Sequence, residues 1–209
     1  MDLKQNDTAS RDDHIRYYKE VQELGNSYAS LGDYEHARKC YEKAASLGPD
    51  EPNPYIGLGV VALENDHLDD ADIAFRVARR LAPDSSKAYA GLAVVAQKRK
   101  DYQKAFDMYL KSLELDTDNL SALLGLFQAS CQMGSFAKVI HYLQVYLHSH
   151  PDDSSVTFSL AALYMKEGRF KKARTILSEL LSLDPENKDA ANLLEELRHH
   201  LQRTKQTTD

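Results

Sequence analysis

Apolar side chains recur along this chain with two periods at once. Over a dozen residues they return every three to four positions. Leu24 and Tyr28 are one example and Leu160 and Tyr164 another, which is the spacing of one face of an amphipathic helix. Over longer stretches the same residue types return after 34 positions. Leu24, Leu58, Leu92, Leu126 and Leu160 form one ladder; Ala37, Ala71, Ala105, Val139 and Ala173 form a second; Tyr41, Phe75, Tyr109, Leu143 and Leu177 form a third. Each block holds two helical patterns separated by a short break, marked by Gly32-Asp33, Gly134-Ser135 and Gly168-Arg169. Between blocks stand Pro49, Pro83, Thr117, Pro151 and Pro185, and proline ends a helix. Asp50, Asp84, Asp118, Asp152 and Asn187 are expected to cap the helix that follows. The pattern predicts an all-α chain of helical hairpins over 18–51, 52–85, 86–119, 120–153 and 154–187.

These ladders resemble the tetratricopeptide repeat, whose pattern is W-x2-L-G-x2-Y, then A-x3-F, then P. The first block reads Val21, Leu24-Gly25, Tyr28, Ala37, Tyr41 and Pro49; the second reads Tyr55, Leu58-Gly59, Ala62, Ala71, Phe75 and Pro83. The resemblance implies a right-handed α-solenoid of antiparallel hairpins, forming one domain over 14–203. It further implies a concave face that holds another polypeptide. Some members of the family clamp the C-terminal carboxylate of chaperones with Lys and Asn side chains. Asn26 and Lys87 fall at matching positions, but Gln22, Gly57 and Gly91 stand where Lys, Asn and Arg are needed, so this clamp is not expected.

Residues 188–203 predict one further helix. Its Ala190, Leu194, Leu197 and Leu201 can cover the last hairpin, while Glu195 and Arg198 face water. A stack of repeats needs such a polar cap. The segments 1–13 and 204–209 carry no apolar period and are expected to be flexible. The fourth block is irregular: Phe127 replaces a small residue, Val139 replaces Ala, Tyr146 stands where Ala44 and Ala78 stand elsewhere, and Ser130 replaces a bulky position. Compensated packing and a local change of superhelix angle are both consistent with this.

The first helix of each hairpin packs one face on its partner, through Leu24, Gly25 and Tyr28 in the first block, and another on the previous hairpin. The remaining faces line up as a groove. They carry Lys19, Gln22 and Asn26; Asn53, Ile56, Val60 and Leu63; Lys87, Ala90, Val94, Gln97 and Lys98; Leu124, Gln128 and Cys131; and Phe158, Ala162 and Met165. So many apolar residues on an open face predict a groove for an apolar or amphipathic peptide segment. Gly57, Gly91, Gly125 and Ser159 form a further ladder. It points to close approach there, either of a ligand or of neighbouring first helices.

Composition narrows the function. A net charge of −6 disfavours a nucleic-acid partner, which calls for a basic face. Lys19, Lys87, Lys98 and Lys166 lie on the groove side, but no aromatic side chains alternate with them. Cys40 and Cys131 belong to no Cys/His cluster, so neither a disulfide framework nor structural zinc is expected. Met1–Asp13 lacks an apolar core of a secretory signal and no run of 18 apolar residues occurs. A cytoplasmic setting without membrane insertion is therefore expected. Ser135-Phe136-Ala137-Lys138 spells S-x-x-K without its companion motifs. His141, His148 and His150 lack an HExxH frame. The acids between Glu64 and Asp72 lack the spacing of a calcium loop. No catalysis and no cofactor are expected. The function predicted is a protein-binding scaffold; the alternative is a self-assembling scaffold or chaperone of a bacterial secretion or pilus-type assembly, in which a neighbouring copy's N-terminal segment fills the groove.

Overall fold

The structure, a computed structural model, describes the backbone of residues 3–206 and the side chains of residues 14–203. Eleven helices occur among the described residues: α1 (Leu3–Ser30), α2 (Tyr34–Leu47), α3 (Pro52–Glu64), α4 (Leu68–Leu81), α5 (Ser86–Lys98), α6 (Tyr102–Leu115), α7 (Leu120–Met133), α8 (Ala137–Ser149), α9 (Ser154–Lys166), α10 (Phe170–Leu183) and α11 (Lys188–Gln206). The starts of α3, α5, α7, α9 and α11 are spaced by 34 residues, as the ladders require. The chain is an all-α solenoid of five hairpins followed by one more helix. Contacts group it into two compact units, 1–129 and 130–209, whose border falls inside α7. The backbone at 3–13 and 204–206 continues α1 and α11 as helix, while Met1, Asp2 and 207–209 lie outside the described residues.

The hairpin turn repeats one backbone device. Gly32, Gly134 and Gly168 have φ of 77°, 67° and 70°. The equivalent positions in the other two hairpins are Asp66, at φ 58°, and Lys100, at φ 63°. All five residues thus adopt the left-handed conformation that closes a helix C-terminus, which costs a side-chain-bearing residue more than glycine.

The junction between hairpins corrects the predicted caps. The turn closes by a hydrogen bond from the amide of Glu51 to Gly48 O at 3.1 Å, and from that of Ser85 to Ala82 O at 3.0 Å. Pro49 and Asp50, like Pro83 and Asp84, are the two central residues of such turns, where Pro presets the backbone. The cap is the next residue. Ser85 and Asp153 accept the amides of Ala88 and Val156, and Asn119 and Asn187 accept those of Ala122 and Ala190, while Glu51 occupies the position before α3 without a side-chain cap. Asn187 was in the right register; Asp50, Asp84, Asp118 and Asp152 were one residue early.

In unit 1 the core is built around the ring of each second helix. Tyr41, Phe75 and Tyr109 are 4%, 1% and 2% exposed. A methyl group on Gly25 would lie 2.9 Å from Tyr41, and one on Gly57 only 2.5 Å from the same ring. Phe75 meets Gly59 of its own hairpin and Gly91 of the next, and Tyr109 meets Gly125. The glycine ladder is therefore filled by the aromatic ring of the preceding second helix. It is not open to a ligand, and it is not a contact between first helices alone.

Leu24 corrects a second expectation. It is 48% exposed, whereas Leu92 and Leu126 are 4% and 0% exposed. This ladder packs toward the preceding hairpin, as Leu92 does in joining Ala71 and Phe75 of α4, and no hairpin precedes Leu24 among the described residues. Glu20 and Ser27 beside it are also exposed. In unit 2, Val139 and Tyr146 are buried. The Tyr146 ring stacks on His150 at 4.3 Å, and its hydroxyl donates to Asp153 at 3.3 Å. Ser130 is fully buried, and its hydroxyl has no hydrogen-bond partner among the described residues. Ala190, Leu194 and Leu197 of α11 are buried, and Glu195 and Arg198 are exposed.

Candidate functional site

In unit 1 the first helices α1, α3 and α5 pack on one another as well as on their hairpin partners. Their remaining face carries the predicted residues, and the structure gives these different environments. Val60 and Leu124 are 40% and 44% exposed, and Ile56, Leu63, Ala90 and Val94 are half-buried. Ile56 and Leu63 also lean on the core formed by Ala71, Phe75, Leu92 and Val95, so part of their surface is already used. Lys19, Asn53 and Lys87 are exposed.

Polar residues of this face are tied to the core rings. The Tyr41 hydroxyl donates to Asn26 Oδ1 at 2.9 Å. The Tyr109 hydroxyl donates to Gln97 Oε1 at 2.9 Å, and Gln97 Nε2 donates to Gln128 Oε1 at 2.8 Å. Burial pushes the Tyr109 phenol up to about 12, so it remains a donor throughout the neutral range. A pocket of about 680 Å³ brings Lys19, Gln22, Asn26 and Asn53 together. It also contains His14, Tyr18 and Glu51, which the repeat pattern did not single out. His14 Nε2 sits 2.9 Å from Leu47 O. The Tyr18 hydroxyl is buried with no hydrogen-bond partner among the described residues, and burial, with the nearby Glu51 carboxylate, pushes it up to about 12. These residues lie where α1 begins to pair with α2, and helical periodicity carries no signal for that junction.

Lys98 does not serve the groove alone. Its ammonium reaches Asp66 at 3.3 Å, across to the turn of the preceding hairpin, and Arg99 beside it reaches Asp69 at 2.5 Å. Such exposed pairs are worth little individually, but they fix the cations away from the apolar strip. In unit 2, Phe158, Ala162, Met165 and Cys131 are half-buried. Lys166 Nζ lies 3.9 Å from Cys131 Sγ and 5.8 Å from the Phe136 ring centroid. His141 sits edge-on to Tyr142 at 5.3 Å, and His150 stacks on Tyr146. No group of three or more His, Cys, Asp or Glu side chains that could hold a metal occurs among the described residues. No described helix is long and apolar enough to cross a membrane.

Comparison with known proteins fits this architecture. Family models described as TPR repeat or tetratricopeptide repeat match residues 25–66, 56–119 and 136–197. The chain belongs to the tetratricopeptide-repeat family, whose members generally mediate protein–protein interaction and are typically non-catalytic. Among curated protein sequences none matches. Many solved structures do. PilF of Pseudomonas aeruginosa is 19% identical with a TM-score of 0.70, over 90% of this chain and 93% of that one. YrrB, described as a TPR protein with an unusual peptide-binding site, is 17% identical with a TM-score of 0.64, over 93% and 98%. The first TPR of Spaghetti (RPAP3), bound to an HSP90 peptide, is 23% identical with a TM-score of 0.53, over 57% and 95%. At these identities the likeness is one of fold.

Proposed function

We propose that the first-helix face of residues 19–128 holds an apolar or amphipathic segment of a partner protein. The observation that carries this is the strip of Ile56, Val60, Val94 and Leu124. Val60 and Leu124 are 40% and 44% exposed on helices whose other faces are packed. Apolar surface that a fold leaves open in this way is a common mark of a binding surface. The amides of Asn26, Asn53 and Gln128 border the strip and can meet the backbone of a bound segment. Two neighbours, YrrB and the HSP90-peptide complex, are described as binding peptides, which supports the class of ligand. The missing Lys, Asn and Arg of the carboxylate clamp direct the reading to an apolar segment over a charged tail. Phe158, Ala162 and Met165 offer a similar face in residues 130–209. Free, widely separated cysteines suit work in a reducing compartment such as the cytoplasm.

The test is partner capture by wild-type protein and by Val60→Ser/Leu124→Ser, compared by quantitative mass spectrometry. Both side chains are already partly exposed, so the double variant should keep its helical circular dichroism and melting temperature. The expected result is loss of specific partners by tenfold or more. Equal capture by the two proteins would refute the assignment of this face.

A further inference from the structure

A second groove lies on the other side of unit 1, where the second helices α2 and α4 flank α3. It has a volume of about 680 Å³ and shares no residue with the first-helix face. Leu58 and Ala62 of α3 form its floor, and Ile73, Ala74 and Val77 of α4 form one wall. Its origin can be read from the ladder of 34. Position 74 corresponds to Met108, Tyr142 and Ile176 in later hairpins. In the next hairpin, Met108 packs over the cluster that contains Leu92 and Val95. Leu92 is consequently 4% exposed, whereas its equivalent, Leu58, is only half-buried. The short side chain of Ala74 thus leaves open a volume that a larger one fills elsewhere.

The wall departs from the pattern in the opposite sense as well. Position 73 is Lys39, Asp107, His141 and Thr175 in the other hairpins, and here it is Ile73, 62% exposed. An outward isoleucine next to an inward alanine presents apolar surface both on the rim and at the base. The rim is acidic. Glu35, Glu42 and Asp70 stand against the guanidinium of Arg38, with Lys39 pairing Glu35 at 3.2 Å, which leaves Glu42 and Asp70 as the acids turned to an incoming cation. Arg38 is itself shared between Glu35 at 3.4 Å and Glu42 at 3.9 Å. Asp70 has no basic partner among the described residues, since Arg99 is taken by Asp69 and Asp72 and Arg76 by Asp72.

We propose that this groove is a second docking site, and that its occupant is a segment of another protein carrying a bulky aliphatic side chain between lysines or arginines. The aliphatic group takes the place that Met108 fills in the next hairpin, and the cations meet Glu42 and Asp70. Charge complementarity of this kind mainly sets selectivity and the rate of encounter, while the buried side chain supplies the affinity. The site does not depend on the first-helix face.

Fluorescence anisotropy with two labelled twelve-residue peptides tests it. One has two leucines flanked by lysines; the other has glutamates in place of the lysines. The wild-type protein should bind the basic peptide at least tenfold more tightly than the acidic one, and salt should weaken the binding. Ala74→Met fills the groove as Met108 does and should lower the affinity at least tenfold. Ile73→Glu, at an exposed position that cannot disturb the core, should do the same. Ser182→Ala, at an exposed position of α10 outside both grooves, should leave it unchanged. The proposal is overturned by absent binding, by equal binding of both peptides, or by Ala74→Met and Ile73→Glu proteins that bind as well as wild type. Self-association of the free protein that Ala74→Met abolishes would assign the groove to a second copy, and would overturn it too.

Discussion

Ring size and glycine are matched along this chain. Tyr41, Phe75 and Tyr109 each stand 16 residues before Gly57, Gly91 and Gly125, and where the ring becomes Leu143 the partner becomes Ser159. A mid-helix glycine costs about 1 kcal/mol of helix propensity against alanine. At Gly91 the added methyl group would collide with the Phe75 ring, and overpacking costs about 1–3 kcal/mol. Packing should therefore outweigh propensity. Gly91→Ala is expected to destabilise the protein by roughly 1–2 kcal/mol in urea unfolding, against the sign that propensity alone gives. In a Phe75→Leu background the same change should cost markedly less, because the space is then available. An equal penalty in both backgrounds would contradict the match of ring to glycine. The ladder itself was legible in the sequence. The identity of the group that fills it was not, because periodicity reveals that a position is small without revealing which helix presses on it.

At the scale of elements, boundaries followed the ladders closely and their chemistry less so. The helix starts came out in register because the core positions of both helices recur without insertion. The caps came out one residue early at four of five junctions because Pro-Asp, or Thr-Asp at 117–118, reads equally well as a cap and as the centre of a turn. Only the backbone hydrogen bond across the turn separates these readings. The left-handed position inside each hairpin was legible where it is Gly32, Gly134 or Gly168 and invisible where it is Asp66 or Lys100, since neither residue advertises positive φ. Lysine bears this conformation at greater cost than aspartate, which tolerates it better than most side chains. Lys100→Gly should accordingly stabilise the protein by about 0.5–1 kcal/mol, net of the extra freedom glycine gives the unfolded chain. Asp66→Gly should give less, since Asp66 also loses its pair with Lys98. The measurement is the shift in urea midpoint at constant slope. A destabilised Lys100→Gly protein would show that the lysine side chain contributes more than its backbone strain costs.

Across the whole molecule, the first and last hairpins of the described residues present their outward faces differently. At the C-terminal end an extra helix covers α10 through Ala190, Leu194 and Leu197 and turns Glu195 and Arg198 to water. That device was visible in the sequence, because the apolar period continues beyond the last repeat. In the first hairpin no helix covers the equivalent face among the described residues. The face that later hairpins bury with trios such as Ala88, Leu92 and Val95, or Val156, Leu160 and Leu163, is made of Glu20, Leu24 and Ser27, all exposed. The leucine ladder carries no sequence mark of this, since its later members are buried by the preceding hairpin. The polar substitutions at 20 and 27 keep the end from acting as the seat of another repeat, with Leu24 alone retained from the pattern. Restoring the pattern should therefore create an adhesive face. The variant Glu20→Ala/Ser27→Val recreates the trio found at Ala88, Leu92 and Val95. It should fold as the wild type does but sediment faster as concentration rises, because an apolar surface built to receive a hairpin is now unoccupied. The wild-type protein should show no concentration dependence that Leu24→Ser removes. A double variant that sediments like wild type at every concentration would mean that the shape of this face, rather than the polarity of Glu20 and Ser27, is what prevents stacking.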